Sequence, residues 1–230
     1  MNEEELLAGK FYHIYNCGIN GENLFRESEN YTYFLGLVDK FIEPVAELYA
    51  WVLMPNHFHL LIRIKENVKY KYSLADINSN SPEWEDLHKW ETIDLSESPI
   101  PGMDNKIPKP HLHFSHLFNA YCKYYNKRYT RHGGLFERRF KRKIINDERY
   151  FKRMILYIHN NPVHHGFCSH PLEYSWTSYL TCISIKPTKL HREVVLGWFD
   201  SHAEFKLLHN DKVDVEKMDK WLETRNENNF

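Results

Sequence analysis

The chain has 230 residues, a formal net charge of −1 with its 15 histidines counted as neutral, and an apolar share of 42% of which aromatics are an unusually large part. That length supports one core with a small appendage, and the near-zero charge excludes a whole-molecule field that would draw the protein to polyanions. Cys17, Cys122, Cys168 and Cys182 form no C-x-x-C pair, so they read as reduced thiols rather than a disulfide frame or zinc knot. The N-terminus, MNEEELLAGK, has neither a basic start nor an apolar leader, and no apolar run reaches membrane-spanning length. The expectation is a cytoplasmic protein with no membrane partner.

Phe11 to Cys17 alternates as a strand and is followed by turn signals at Gly18 and Asn20-Gly21. Glu29 to Phe41 carries Phe34, Leu37, Val38 and Phe41 at helical spacing, with Ser28 as its expected N-cap and Pro44 just past its end. Leu48 to Leu53 reads as a second strand, and Pro55-Asn56 as the turn into a third. Glu66 to Pro110 is polar, proline-containing and without a sustained period, and reads as a long acidic insert of a composition that favours disorder. Phe114 to Tyr129 returns to helical spacing, Gly133-Gly134 ends that unit, and Leu135 to Ile145 is a basic strand candidate. Asn146 then caps a helix with Asp147 and Glu148 in its first turn, expected to stop near Asn160 because Pro162 biases Asn161 away from helical angles. Val194 to Leu208 and Val213 to Thr224 suggest short tail helices. The order β-α-β-β-α-β-α matches an α+β fold: a ferredoxin-like or RRM-like split β-α-β antiparallel sheet with an added C-terminal helix and a helical tail. Residues 1–180 then form the main domain, interrupted by the 66–110 insert, and 181–230 form the tail.

The third strand contains His57 and His59. Side chains alternate along a strand, so these two imidazoles share one face, about 7 Å apart in backbone rise, while Phe58 points to the other. Such a pair can grip one metal ion, although 15 histidines would place one His-x-His by chance. A second, His111-Leu112-His113, lies in a proline-rich stretch with no strand pattern. On the last main helix, Arg153, Tyr157 and Asn161 fall at i, i+4 and i+8 along one flank, beside a stripe of Phe151, Met154, Ile155 and Ile158. Spacing alone makes Tyr157 core padding. Charge is unevenly spread: between residues 123 and 143 nine basic residues (Lys123, Lys127, Arg128, Arg131, Arg138, Arg139, Lys141, Arg142, Lys143) face the single acid Glu137, whereas residues 76 to 104 hold eight acids and only Lys89. So one-sided a run favours a polyanion partner over a merely solvated face.

Four strings in order, YHIYNCG, LMPNHFHLLI, FNAYCKYYNKRYTRHGGLFERRFKRK and YIHNNPVHHGF, followed by YSWTSY, closely resemble the tyrosine-dependent HUH transposases, in particular the branch of REP-associated tyrosine transposases. The resemblance spans most of Phe11 to Tyr179. It implies a metal-dependent single-stranded DNA endonuclease and strand transferase acting on hairpin-containing DNA. It implies His57, His59 and Asn161 as ligands of a divalent metal, Mg²⁺ or Mn²⁺, and Tyr157 as the nucleophile that becomes a 5′-phosphotyrosine. The nine basic residues would contact phosphates, with Tyr124, Tyr125, Tyr129 or Phe136 stacking on bases. Carboxamide and imidazole ligands suit Mn²⁺ better than Mg²⁺. Two features depart from the family: Cys17 stands where relatives carry an arginine, and the acidic insert is long. The competing reading is a hairpin- or single-strand-binding protein without chemistry, and a metal-stabilised structural protein is a third. Monomer and homodimer are both compatible with the sequence.

Overall fold

The computed structural model describes residues 5–72, 88–95, 105–210 and Met218. The middle of the acidic insert, including Trp84, and the expected 213–224 helix other than Met218 lie outside the described residues. Four strands, β1 (Phe11–Cys17), β2 (Ala46–Met54), β3 (His57–Ile64) and β6 (Lys141–Ile145), form one antiparallel sheet in the order β2-β3-β1-β6. This is the order of the split β-α-β sheet expected from the sequence. Helix α1 (Ser28–Phe41) connects β1 to β2, α2 (Pro110–Arg128) connects the insert to β6, and α3 (Glu148–His164) follows β6. A two-stranded hairpin of β4 (Val68–Tyr70) and β5 (Thr92–Asp94) stands where the sequence suggested only a loop. The tail contributes α4 (Tyr179–Ile183), α5 (Arg192–Gly197) and α6 (His202–Asn210).

The sheet has two faces, set by the period-two alternation of its strands. One buries Tyr12, Ile14, Phe58, Leu60 and Ile62 against α1 and α2, with Phe34 and Phe118 rings 5.1 and 5.8 Å from Phe58. Phe58→Ala would cost about 3–5 kcal/mol as a cavity in that layer. The other face carries Phe11, His13, Tyr15, His57, His59 and Leu61 and is covered by α3, where Phe151 packs 4.5 Å from Phe11. The β1–β3 register sets Tyr15 opposite His59 and Cys17 opposite His57. The β1–β6 register sets His13 opposite Lys143 and Tyr15 opposite Lys141.

Three boundaries differ from expectation, each for a local reason. Helix α1 begins at Ser28 with Glu27 at the cap position, and its first turn is tied instead by Asn30, whose Oδ1 accepts from the Arg26 N–H at 2.9 Å. The basic strand shrinks to Lys141–Ile145 because residues before it turn: Arg139 adopts φ 65°, and Phe136 makes only an isolated bridge to Gly18. Helix α3 runs through Pro162 to His164. A proline in the last turn forfeits one backbone bond, and burial of Ile158, His159 and Asn161 holds the helix past it. The His165 N–H donates to the Asn161 carbonyl at 3.0 Å and the Phe167 N–H to the Pro162 carbonyl at 2.8 Å.

The tail is fastened to this frame. Residues 176–178 run along β2, with the Leu53 N–H donating to the Trp176 carbonyl and the Ser178 N–H to that of Trp51, both at 2.9 Å. Buried Ser178 Oγ also accepts from the Trp51 N–H at 2.9 Å and lies 2.8 Å from His159 Nε2 on α3. His159 Nδ1 is 2.9 Å from His209 Nε2, and His209 Nδ1–H donates to the Phe205 carbonyl at 2.6 Å. Counting protons from that carbonyl backward gives each nitrogen one role, so Ser178 O–H donates to His159. Among the described residues no helix is long and apolar enough to cross a membrane.

Candidate metal and nucleophile site

His57 and His59 project from the start of β3 toward the C-terminal half of α3, and the structure brings them together with Tyr157 and Asn161. The His57 and His59 rings are 5.2 Å apart, near perpendicular. Asn161 reaches between them: its Oδ1 is 2.9 Å from His57 Nε2 and its Nδ2 is 3.5 Å from His59 Nε2. Tyr157, one helical turn earlier, presents its ring edge-on to His59 at 5.5 Å and is only 5% exposed.

Burial keeps the imidazoles neutral. It pushes His57 down to about 4, against the raising effect of the Asn161 contact. It holds His59 well below the ordinary histidine range, aided by the neighbouring His13, His57 and His165. A neutral His57 has one N–H but faces two amide oxygens, Asn56 Oδ1 at 2.7 Å from Nδ1 and Asn161 Oδ1 at 2.9 Å from Nε2. With the amides as they stand, one of those contacts has no hydrogen in it. A cation between Nε2 and Asn161 Oδ1 removes the conflict, and leaves Nδ1–H to donate to Asn56. The residues therefore fit a divalent metal held by His57, His59 and Asn161. Among the described residues no three His, Cys, Asp or Glu side chains form a metal-holding group, and the oxygen donor nearest His57 Nε2 is the Asn161 amide. Cys17, opposite His57, has its thiol raised above the ordinary range, first by burial and then by Glu137, with Lys141 opposing.

In the second His-x-His, His111 is exposed and His113 is structural. His113, buried in the first turns of α2, donates from Nδ1–H to the Phe41 carbonyl at 2.6 Å, and its Nε2 meets the Tyr70 hydroxyl at 2.7 Å.

The nine basic residues do not form one surface. Arg131 pairs with Glu22 at 2.7 Å and Arg128 with Glu27, acids about a hundred residues earlier that a local charge count does not see. Lys143 is buried at 6% exposure on the site face of the sheet. On that same face Lys141 is exposed, with its ammonium 5.6 Å from the Tyr15 ring centre. Arg142 points to the opposite face, 4.8 Å over Phe140, while Lys123 and Lys127 are exposed on α2 and Arg138 and Arg139 on the loop before β6. The expected base-stacking aromatics are occupied. Tyr125 is fully buried and donates to the Asn23 carbonyl, Tyr129 bonds Asn30, Tyr124 stacks on Tyr33 at 4.0 Å, and Phe136 packs on Phe118. Tyrosines at helical spacing on α2 serve packing first.

His13 and Asn56 do not stand out in the sequence. His13 Nε2 lies 2.8 Å from His59 Nδ1, and both residues are buried. The available signal is parity: His13 and Tyr15 share a strand face, and that face turns out to be the one His59 occupies.

No protein-family model and no curated protein matches the chain. The chain shares its mixed α/β fold, with its four-stranded antiparallel sheet, with solved structures. One such structure is described as a REP-associated tyrosine transposase bound to a REP hairpin, with a TM-score of 0.50 and 14% sequence identity over 86% of this chain and 87% of that one.

Proposed function

We propose that this protein is a metal-dependent single-stranded DNA endonuclease and strand transferase that forms a 5′-phosphotyrosine on Tyr157, acting on hairpin-containing repeat DNA. The observation that carries the reading is the convergence of Tyr157, His57, His59 and Asn161 at one end of the sheet, from segments a hundred residues apart. The shared fold with a hairpin-bound transposase supports the substrate class. A divalent ion held by His57, His59 and Asn161 would supply Lewis-acid stabilisation of charge on the phosphate oxygens. The Tyr157 oxygen bonds to phosphorus as the bond to the 3′-oxygen breaks. The phenol proton passes to solvent, and the departing 3′-oxygen takes one up. A second 3′-hydroxyl reverses the step and joins strands without ATP, because the phosphotyrosine conserves the bond energy. Lys141, exposed beside Tyr15 on the same sheet face, is suited to a phosphate of the incoming strand.

The test is cleavage of labelled single-stranded hairpin DNA, drawn from repeats flanking the gene, with Mn²⁺ or Mg²⁺ and with Tyr157→Phe alongside. A metal-dependent covalent adduct absent from the variant is the expected result. Hairpin binding with no adduct, on substrates carrying the right repeat, would instead establish a binding module.

A further inference from the structure

Resting on the metal reading above, we infer that His13 is a positioning residue that holds His59 in the one tautomer able to ligate a metal. This follows from a proton count. An amide nitrogen only donates, so Asn161 Nδ2, 3.5 Å from His59 Nε2, marks that nitrogen as the lone-pair side. The single proton of neutral His59 is then on Nδ1 and is donated to His13 Nε2 at 2.8 Å. His13 must in turn carry its own proton on Nδ1. That atom is fully buried and has no hydrogen-bond partner among the described residues.

An unsatisfied buried N–H is a cost that a purely structural residue would not carry, since an apolar side chain of similar size would fill the same space without it. The ring is also clamped. Its plane lies within 5° of that of His59 with ring centres 5.0 Å apart, as for two imidazoles bonded edge to edge; it stacks on Tyr15 at 4.8 Å and meets the Tyr157 ring edge-on at 6.1 Å. Metal-ligating histidines generally need such a partner on the second nitrogen to fix tautomer and orientation. Asn56 Oδ1 is placed to do this for His57, and His13 does it for His59.

The test uses the full chain with His13→Leu, which removes the acceptor, and His13→Gln, whose side-chain oxygen restores one. In the metal-free wild type, nitrogen NMR of His59 should show the proton on Nδ1. Mn²⁺ titration followed by electron paramagnetic resonance should show about 10- to 100-fold weaker binding for the Leu variant. The Gln variant should recover most of that loss. An Nε2–H tautomer in the wild type, or Mn²⁺ affinity unchanged in a folded Leu variant, would overturn the inference while leaving the metal site intact. Should the Leu variant not fold, the wild-type tautomer and the Gln variant still decide. A wild type that takes up no Mn²⁺ would overturn the metal reading itself.

Discussion

Acidification should unfold this protein far more steeply than its near-zero net charge suggests. Six histidines, His13, His57, His59, His113, His159 and His209, are held below the ordinary range by burial. His209 is the measurable example, pushed down to about 4 from 6.5. Its folded value is the lower one, so as pH falls the unfolded chain takes up the proton first. The linked stability is whole above about pH 6.5 and is lost progressively toward pH 4. Each tenfold difference in proton affinity between the folded and unfolded chain is worth about 1.4 kcal/mol, so His209 alone forfeits about 2 kcal/mol by pH 5 and about 3 kcal/mol at the end. Losses of the same sign at the other five sites add to it. Urea unfolding of the metal-free protein at pH 7.5, 6.5, 5.5 and 5.0 should therefore show stability collapsing below pH 6. His209→Gln should flatten that dependence by about one proton. A stability that stays level from pH 7.5 to 5.0 would refute the assignment of these histidines as buried and neutral.

The phenol oxygen is the only heavy atom lost in Tyr157→Phe, so that variant should stay within about 1 kcal/mol of wild-type stability in urea while losing the DNA adduct entirely. Ser178→Ala strips the acceptor of the Trp51 N–H and the donor to His159 at once. It should cost about 1–3 kcal/mol in urea unfolding. Lys141→Ala should weaken hairpin binding and reduce the slope of log affinity against log salt by about one. Arg131→Ala, whose guanidinium is committed to Glu22, should leave that slope nearly unchanged.

Local periodicity made much of this molecule legible. Alternation in Phe11 to Cys17 and in the third strand identified both sheet faces, and the apolar spacing of residues 34, 37, 38 and 41 identified α1. What escaped was set by partners distant in sequence. His13 acquires its role only when β1 pairs with β3, across 46 positions. Arg128 and Arg131 stand beside Glu27 and Glu22, acids that a local charge count does not pair with them. Pro162 looked like a helix terminator because the rule for proline is local, whereas the packing that carries α3 past it is not. The four residues of the candidate site were assembled by resemblance to a family, since spacing alone left Tyr157 an ordinary aromatic.

The turn at Pro55-Asn56 gives the site an unusual sensitivity to changes of length. Met54 pairs with His57 across a two-residue connection, so the register of β3 depends on that count. One codon added or removed there would exchange the two sheet faces, sending both histidines under α1 and α2 and Phe58 toward α3. The other end of β3 is permissive. The acidic segment leaves the sheet after Ile64, about 23 Å of strand from His57, and its described hairpin braces there, with Thr92 Oγ1 donating to the Pro44 carbonyl at 2.6 Å. Lineages of this fold should therefore vary freely in length after the third strand and hardly at all before it.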